Sequence, residues 1–424
     1  TLGHCGARAV ILESRNSRLI DGQGARLPEL RHVISVGPPR LDSQPPFTVT
    51  ELAPLLAPGP APLADAGAGG DDLASIIYTS GTTGRPKGVM LGHANLVANT
   101  RSIVQYLELT ADDTIAMVLP FFYVYGNSVL HTHICAGGTI AHVGSMAFPA
   151  AVLQGIQQQR CTGLSGVPST FARMIQFSAL GAYDLSSLRY LTQAGGPMTP
   201  ALTRKIETAM PHVRIFVMYG QTEASARLSY LPPEDLKRKI GSAGIGIPGV
   251  TLRVMDADGN EVPRGTVGEI VARGDNIMQG YWNNPEETAR ILRPEGMRTG
   301  DLARMDDEGY IFIVARKSDM IKSGAHRIGP KEIEDVVEQL PAVAQCAVVG
   351  VPDELLGEAI AAFVVPVDGA ELTPRQVLRV CHDHLPRFKM PGHVRIVGSL
   401  PRTQTGKLRR NELKEWFAAG RGQG

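Results

Sequence analysis

Between residues 73 and 220, short apolar runs alternate with longer amphipathic ones. The runs at 75–78, 114–119, 139–143, 189–192 and 215–218 read as buried strands, and 94–107, 150–159 and 200–209 carry the wider period of helices. Such alternation predicts crossover units on a largely parallel sheet, an α/β fold. The texture changes after about residue 244. Apolar stretches at 250–255 and 267–272 flank Asp256-Ala257-Asp258-Gly259, a turn signal, so short antiparallel strands are expected there. From 310 onward a strand–helix–strand pattern recurs at 310–315, 331–339, 344–349, 359–365, 374–384 and 394–397. It predicts a separate small α+β domain of about 105 residues. Residues 54–70, rich in Ala, Pro, Gly and Leu without either period, read as a surface loop or linker. Thr1-Leu2-Gly3 reads as the interior of a strand, which places the natural N-terminus further upstream.

Length and composition narrow the classes. A chain of 424 residues is expected to hold about two or three domains. A formal net charge of +1 gives no bulk attraction to nucleic acid or to an anionic membrane. The most apolar stretch, 114–130, is interrupted by Pro120, Gly126 and Asn127, which suits a buried strand and loop and not a membrane span of roughly 20 apolar residues. Cys5, Cys135, Cys161, Cys346 and Cys381 are scattered without a C-x-x-C pair, as expected for reduced thiols in a cytoplasmic protein. His131-Thr132-His133 stands close to Cys135, yet matches no familiar metal-ligand spacing and is assigned a structural role.

The strongest chemical signal is Tyr78-Thr79-Ser80-Gly81-Thr82-Thr83-Gly84-Arg85-Pro86-Lys87-Gly88, directly after a predicted strand. Glycines allow backbone N–H groups to turn toward an anion, hydroxyls add donors to phosphate oxygens, and a lysine adds a point charge. The pattern is not a P-loop. Counted from Gly81, G-x-x-x-x-G-K-[ST] requires Gly where Pro86 stands and Ser or Thr where Gly88 stands.

This phrase resembles the Y-T-S-G-T-T-G-x-P-K-G signature of the adenylate-forming enzymes, the family of acyl-CoA synthetases, luciferases and peptide-synthetase adenylation domains. The resemblance continues in order along nearly the whole chain. Ala194-Gly195-Gly196-Pro197-Met198 resembles the segment beside the adenine, and Tyr219-Gly220-Gln221-Thr222-Glu223 resembles Y-G-x-T-E. An aromatic face suits stacking on a purine, a hydroxyl suits the α-phosphate, and a carboxylate suits Mg²⁺. By resemblance Tyr219, Thr222 and Glu223 take those roles. Taken alone, Glu223 would read as an ordinary surface carboxylate. Gly268-Glu269-Ile270 and Gly280-Tyr281-Trp282-Asn283 resemble a mainly structural segment. Thr299-Gly300-Asp301-Leu302 resembles T-G-D-L, whose Asp binds the ribose hydroxyls, and Arg316 resembles the arginine near ribose and phosphate. Leu400-Pro401-Arg402-Thr403-Gln404-Thr405-Gly406-Lys407 resembles P-R-T-x-x-G-K, whose Lys bridges the substrate carboxylate and the α-phosphate.

The implied fold is a large layered α/β/α domain, N-terminally incomplete, over 1–315, with a flexible loop at 54–72. A hinge at 316–318 and a small mobile α+β lid over 319–424 follow. The implied reaction, closest in type to that of AMP-forming acyl-CoA synthetases, joins a carboxylic acid to the α-phosphorus of ATP with release of pyrophosphate. A thiol, CoA or a phosphopantetheine arm, then takes the acyl group. Thr79, Ser80, Gly81, Thr82, Thr83, Gly84 and Lys87 are the implied phosphate loop. Gly195, Gly196, Pro197, Tyr219, Gly220, Asp301 and Arg316 complete the nucleotide site, with Mg²⁺ on Glu223 and Lys407, Glu223 and Thr222 as catalytic groups. Tyr123, Gly126, Val167 and Ala194, with Pro168 and Gly195, are the expected acyl-pocket wall. Gly324 resembles the glycine beside the thiol's approach.

Two residues depart from the family pattern. Ser318 stands at a hinge position usually held by Asp or Lys, and Tyr123 stands where His is common. Amino-acid-activating relatives carry Asp at the latter position to pair an α-ammonium group, which Tyr123 cannot do as a carboxylate would. A non-amino acid, fatty or aryl, is therefore expected. Two alternatives to a CoA ligase remain: an acyl-AMP ligase serving a separate acyl carrier protein, and an inert nucleotide- or acyl-binding protein. Intact Glu223, Asp301, Arg316 and Lys407 argue against the second.

Overall fold

The computed structural model describes every residue except 58–66, 80–85, 178, 325, 403–407 and 422–424. It divides into two compact units, Thr1–His93 with Gln279–Pro285, and Ala94–Met278 with Glu286–Gly424.

The first unit holds two small sheets. Ala9–Glu13, His32–Val36 and Thr48–Glu51 run parallel with His32–Val36 in the centre. Ile20, Leu30, Val33 and Phe47 are its buried core. The expected strand at Thr1-Leu2-Gly3 is not formed. The N–H groups of His4 and Cys5 both donate to Thr1 O, at 2.9 and 3.1 Å, and this local closure replaces a ladder. The second sheet pairs Leu73–Thr79 with Lys87–Gly92 and the latter with Gly280–Tyr281, all antiparallel. The strand expected at 75–78 is therefore present and longer, but it belongs to a hairpin and not to the parallel sheet. A short helix, Leu52–Leu55, takes the first residues of the segment read as loop.

The second unit is built on a seven-stranded sheet in the order 245–246, 229–231, 214–219, 190–193, 163–166, 114–117, 139–142. The five strands from 214–219 to 139–142 are parallel and the first two antiparallel. The helices Pro149–Gln159 and Pro200–Ala209 lie one residue or less from their expected bounds. Several elements were not expected, among them the helix Pro168–Phe177 and two that a glycine conceals. Gly163–Gly166 is a fully buried strand with a single large apolar residue. Its Gly163 leaves room for Tyr190, since a Cβ there would lie 2.2 Å from the ring. Val124–Ala136 is a helix where a strand and loop were read. Gly126 lets this helix approach Pro120, whose carbonyl oxygen would lie 2.1 Å from a Cβ. Gly126 thus interrupts the apolar pattern for a packing reason. Within this helix His133 hydrogen-bonds Val129 O at 2.9 Å and Tyr190 Oη at 3.0 Å, a structural use of the histidine.

Thr251–Met255, Val267–Arg273, Gly296–Met305 and Ile311–Arg316 form an antiparallel sheet. Asp256 closes the first hairpin as expected, its Oδ1 accepting the N–H groups of Asp258 and Asn260 at 2.9 Å. The strand expected at 310–315 joins this sheet and not the C-terminal one. Beyond it, 326–328, 321–323, 357–366 and 343–353 form a last sheet, with 393–396 parallel to 357–366. Period-two alternation splits its residues between two cores. Cys346, Val348 and Val364 face Ile333, Val377 and Cys381, whereas Ala347, Val349 and Phe363 face Leu400 and Leu413. The helix Pro374–His384 begins where predicted because Thr373 and Gln376 form a capping box. Among the described residues no helix is long and apolar enough to cross a membrane.

Candidate active site

In the first unit, Thr79 and Lys87 face one another across the antiparallel ladder. Gly88 follows at a crowded point, where a Cβ would lie 2.8 Å from Ile76 and 3.3 Å from both Trp282 and Tyr78. Trp282 N donates to Gly88 O at 2.8 Å, and Lys87 Nζ stands 5.3 Å from the centre of the Tyr281 ring. Ser80, Gly81, Thr82, Thr83 and Gly84 lie outside the described residues, as does Lys407.

In the second unit, Asp301 is the meeting point of three expected site segments. Its side chain is nearly buried. Oδ2 accepts the Tyr219 hydroxyl at 2.7 Å, and Oδ1 pairs with Arg316 Nε at 3.0 Å. The strand pairing explains the second contact, because Asp301 and Arg316 are register partners on adjacent antiparallel strands. Thr299 Oγ1 accepts Asp301 N at 3.2 Å and donates to Ile270 O at 2.9 Å, which fixes the backbone at the carboxylate. Burial, with the Asp301 charge beside it, raises the Tyr219 phenol well above its ordinary value, so Tyr219 stays a neutral donor. The same carboxylate raises the Arg316 guanidinium. Glu269, buried one strand away, accepts Gly300 N at 3.1 Å and pairs with Arg298 at 3.2 Å and Lys317 at 3.3 Å.

The chain after Tyr219 turns sharply. A Cβ on Gly220 would lie 1.9 Å from Ala226 O, so only glycine allows the loop to fold back. Thr222 and Glu223 lie in the turn Thr222–Ala224, both partly exposed. Ser225 and Ala226 then adopt φ of 53° and 115°, unusual for residues with side chains. The turn is held from outside. Met278 N donates to Glu223 O at 2.9 Å, and Asn276 Nδ2 donates to Ala224 O and Arg227 O at 3.1 and 2.7 Å. Among the described residues no three His, Cys, Asp or Glu side chains are grouped as for a protein-caged metal. A single carboxylate such as Glu223 fits a Mg²⁺ ion that takes its other ligands from phosphates and water.

Of the expected acyl-wall residues, Val167, Pro168, Ala194 and Gly195 lie on adjoining segments of this unit. Ala194 N donates to Gly166 O at 3.3 Å, and a Cβ on Gly195 would lie 3.2 Å from Val167 Cγ1, so these segments touch. Gly195, Gly196 and Pro197 form an exposed loop, and Pro168 stands 3.4 Å from where a Gly196 Cβ would be. Tyr123 is partly exposed and packs on Phe122, ring centres 4.4 Å apart. Sequence reasoning missed its neighbour Tyr125, whose buried hydroxyl reaches Thr192 O at 2.9 Å, and Arg227. Arg227 was hidden as a single cation in the run Ala-Arg-Leu-Ser-Tyr-Leu, where it reads as a solvated break. Near the C-terminal sheet, Gly324 has φ of 56° and donates its N–H to Leu356 O at 2.8 Å. Ser318 is exposed, and its hydroxyl reaches Asp319 Oδ1 at 3.0 Å.

Comparisons with known proteins add to this geometry. The family model described as AMP-binding enzyme matches residues 1–282, and the AMP-binding enzyme C-terminal domain matches residues 332–407. The indoleacetate–CoA ligase of Aromatoleum aromaticum is 39% identical over 346 residues, 81% of this chain and 67% of that protein. A feruloyl-CoA synthase of an Amycolatopsis species is 37% identical over 350 residues, 82% of this chain and 70% of that protein. The crystal structure of ATP-bound MatB from Rhodopseudomonas palustris superposes with a TM-score of 0.87 at 31% identity, covering 98% of this chain and 80% of that one.

Proposed function

The chain belongs to the AMP-binding enzyme family, and from that premise we propose that it is an AMP-forming acid–thiol ligase acting on a non-amino aryl or fatty carboxylic acid, with CoA as the acceptor. The observation that carries the reading is the convergence of Tyr219, Asp301 and Arg316, three residues from three separate motifs, within hydrogen-bonding distance. The names of the relatives support an aryl or arylalkanoic acid, and Tyr123 supports the absence of an α-ammonium group.

In this reading two anions, a carboxylate and a triphosphate, must meet in line. The protein's task is alignment and neutralisation of charge. Asp301 accepts the ribose hydroxyls, and Tyr219 presents its ring to the base. Arg316 balances the Asp301 charge and reaches toward phosphate. Thr79 and Lys87 flank the phosphate-loop residues Ser80 to Gly84, and Gly195, Gly196 and Pro197 border the base. Thr222 donates to the α-phosphate, and Glu223 holds Mg²⁺, which supplies neutralisation of phosphate charge. Lys407 bridges the reacting carboxylate and the α-phosphate. Once the acyl-adenylate has formed, the CoA thiol attacks its carbonyl carbon and AMP leaves. The domain division proposed is a large domain over 1–315, a hinge at 316–318 about Ser318 and a lid over 319–424, whose rotation withdraws Lys407 and brings the Gly324 segment to the thiol.

The test is product analysis with ATP, CoA and a panel of aryl, fatty and amino acids. Formation of AMP and an acyl-CoA with aryl or fatty acids is expected. Thioester formation confined to amino acids would sink the substrate assignment, and a requirement for a carrier protein would sink CoA as acceptor.

A further inference from the structure

Glu269 lies in Val267–Arg273, the strand between Thr251–Met255 and Gly296–Met305, and is 6% exposed. A carboxylate inside a sheet needs a reason, because a buried ion pair seldom adds more stability than an apolar side chain of similar size. Its contacts are not those of a simple pair. Oε2 meets Arg298 Nη1 at 3.2 Å and Lys317 Nζ at 3.3 Å, while Oε1 accepts a backbone N–H, that of Gly300, at 3.1 Å. Neither cation depends on it. Arg298 also pairs with Glu295 at 2.9 Å and reaches Asp256 O at 3.3 Å, and the Lys317 side chain is 61% exposed.

The bond to Gly300 lies where the ladder is broken. Val271 pairs with Arg298 and Glu269 with Leu302, so the three residues Thr299, Gly300 and Asp301 stand opposite Ile270 alone. A bulge takes extra residues out of the ladder and re-aims a side chain, often beside an active site. The side chain re-aimed here is that of Asp301. Gly300 has φ of 76°, in the left-handed region open to glycine. The backbone of the bulge is held group by group. Gly300 N donates to Glu269, Gly300 O accepts Lys317 N at 2.8 Å, and Asp301 N donates to Thr299 Oγ1 at 3.2 Å. Glu269 thus grips the peptide before Gly300 directly. Through Lys317 Nζ it also holds the residue that grips the peptide after it.

We propose that Glu269 is a positioning residue of the nucleotide site, which aims the Asp301 carboxylate at the ribose hydroxyls by holding the Gly300 bulge. This rests on the nucleotide-site reading above. The phrase Gly268-Glu269-Ile270, mainly structural by resemblance, thereby acquires a part in substrate binding. Glu269 touches no ligand itself and acts through Gly300 and Asp301. Tyr219 and Arg316 hold the carboxylate oxygens of Asp301, whereas Glu269 and Thr299 hold the backbone that carries it.

The test measures binding of ATP and of 2′,3′-dideoxyATP, each with Mg²⁺, by calorimetry in the wild type, Glu269→Leu and Glu269→Asp. The two nucleotides differ only in the ribose hydroxyls that Asp301 takes. The wild type is expected to bind ATP about ten- to a hundredfold more tightly, the range for hydrogen bonds to a charged group. Glu269→Leu removes the acceptor and fills much of the same space. It should weaken ATP about tenfold and leave dideoxyATP nearly unchanged, which cuts the preference by the same factor. Glu269→Asp, its carboxylate one methylene further from Gly300 N, should fall between. A Glu269→Leu protein with the wild-type preference, even if both affinities drop, overturns the inference, because a merely structural residue weakens both nucleotides alike. A wild type without preference overturns the ribose role of Asp301 as well, and one that binds neither nucleotide overturns the nucleotide site. If Glu269→Leu fails to fold or binds neither nucleotide, Glu269→Asp decides, and an undiminished preference there contradicts the proposal.

Discussion

Tyr219 donates its hydroxyl to Asp301 at 2.7 Å, so the aromatic ring of one motif is oriented by the carboxylate of another 82 residues further along the chain. Arg316 completes the group from the adjacent strand. The three are legible in sequence only as separate phrases. The Asp301–Arg316 contact comes from the antiparallel pairing of Gly296–Met305 with Ile311–Arg316, and Tyr219 reaches it from the end of a strand in another sheet.

Replacing Asp301 by Asn keeps the size but removes the charge that Arg316 and Tyr219 use. The KM for ATP is expected to rise roughly ten- to a hundredfold, with a smaller change in kcat, in line with the loss of one charged hydrogen-bonding partner. Steady-state kinetics with ATP varied is the check. An unchanged ATP KM would remove Asp301 from the nucleotide site.

Gly126 was expected in the acyl wall, but its tightest neighbour is the Pro120 carbonyl, 2.1 Å from a Cβ position. Gly126→Ala should therefore destabilise the fold by about 1–3 kcal/mol through overpacking against backbone, seen as a lowered Tm. An unchanged Tm would contradict the packing role, and a changed acid preference would support the acyl-wall role.

The helix Pro330–Val337 ends beside a carboxylate whose titration is displaced. Burial, reinforced by Glu334 and Asp335 and opposed by the Cys346 N–H and Arg402, raises Glu338 to about 7. The folded-state pKa lies above the ordinary carboxylate value, so folding favours the protonated form. Its stabilising effect is full below about pH 4.5 and is lost as pH rises through about 7. With solvent screening the loss is roughly 1–3 kcal/mol. Thermal unfolding across that window should show the wild type losing stability relative to Glu338→Gln as pH rises. Parallel curves for the two proteins would refute the displaced titration.

Sequence pattern located elements whose periods coincide with burial, as in Pro200–Ala209 and Pro374–His384. It failed where a residue serves a close approach. Gly163 and Gly166 make Gly163–Gly166 look unlike a strand, although Tyr190 needs the space above the first. Gly126 likewise disguised a helix. At the site, motif residues were legible one phrase at a time, because their chemistry follows from residue type. Tyr125 and Arg227 were not, because their roles depend on which side chains the sheet and helices bring around them, and a lone arginine carries no local signal of being buried.

The measurement that bears most directly on the central claim is acid-dependent exchange of labelled pyrophosphate into ATP, with Lys407→Ala beside the wild type. The account predicts exchange with an aryl or fatty acid in the wild type and a loss of about a hundredfold or more in the variant, as for removal of a preorganised charge from a transition state. Wild-type protein that binds ATP but exchanges with no acid, or a Lys407→Ala variant that exchanges as well as the wild type, would contradict it.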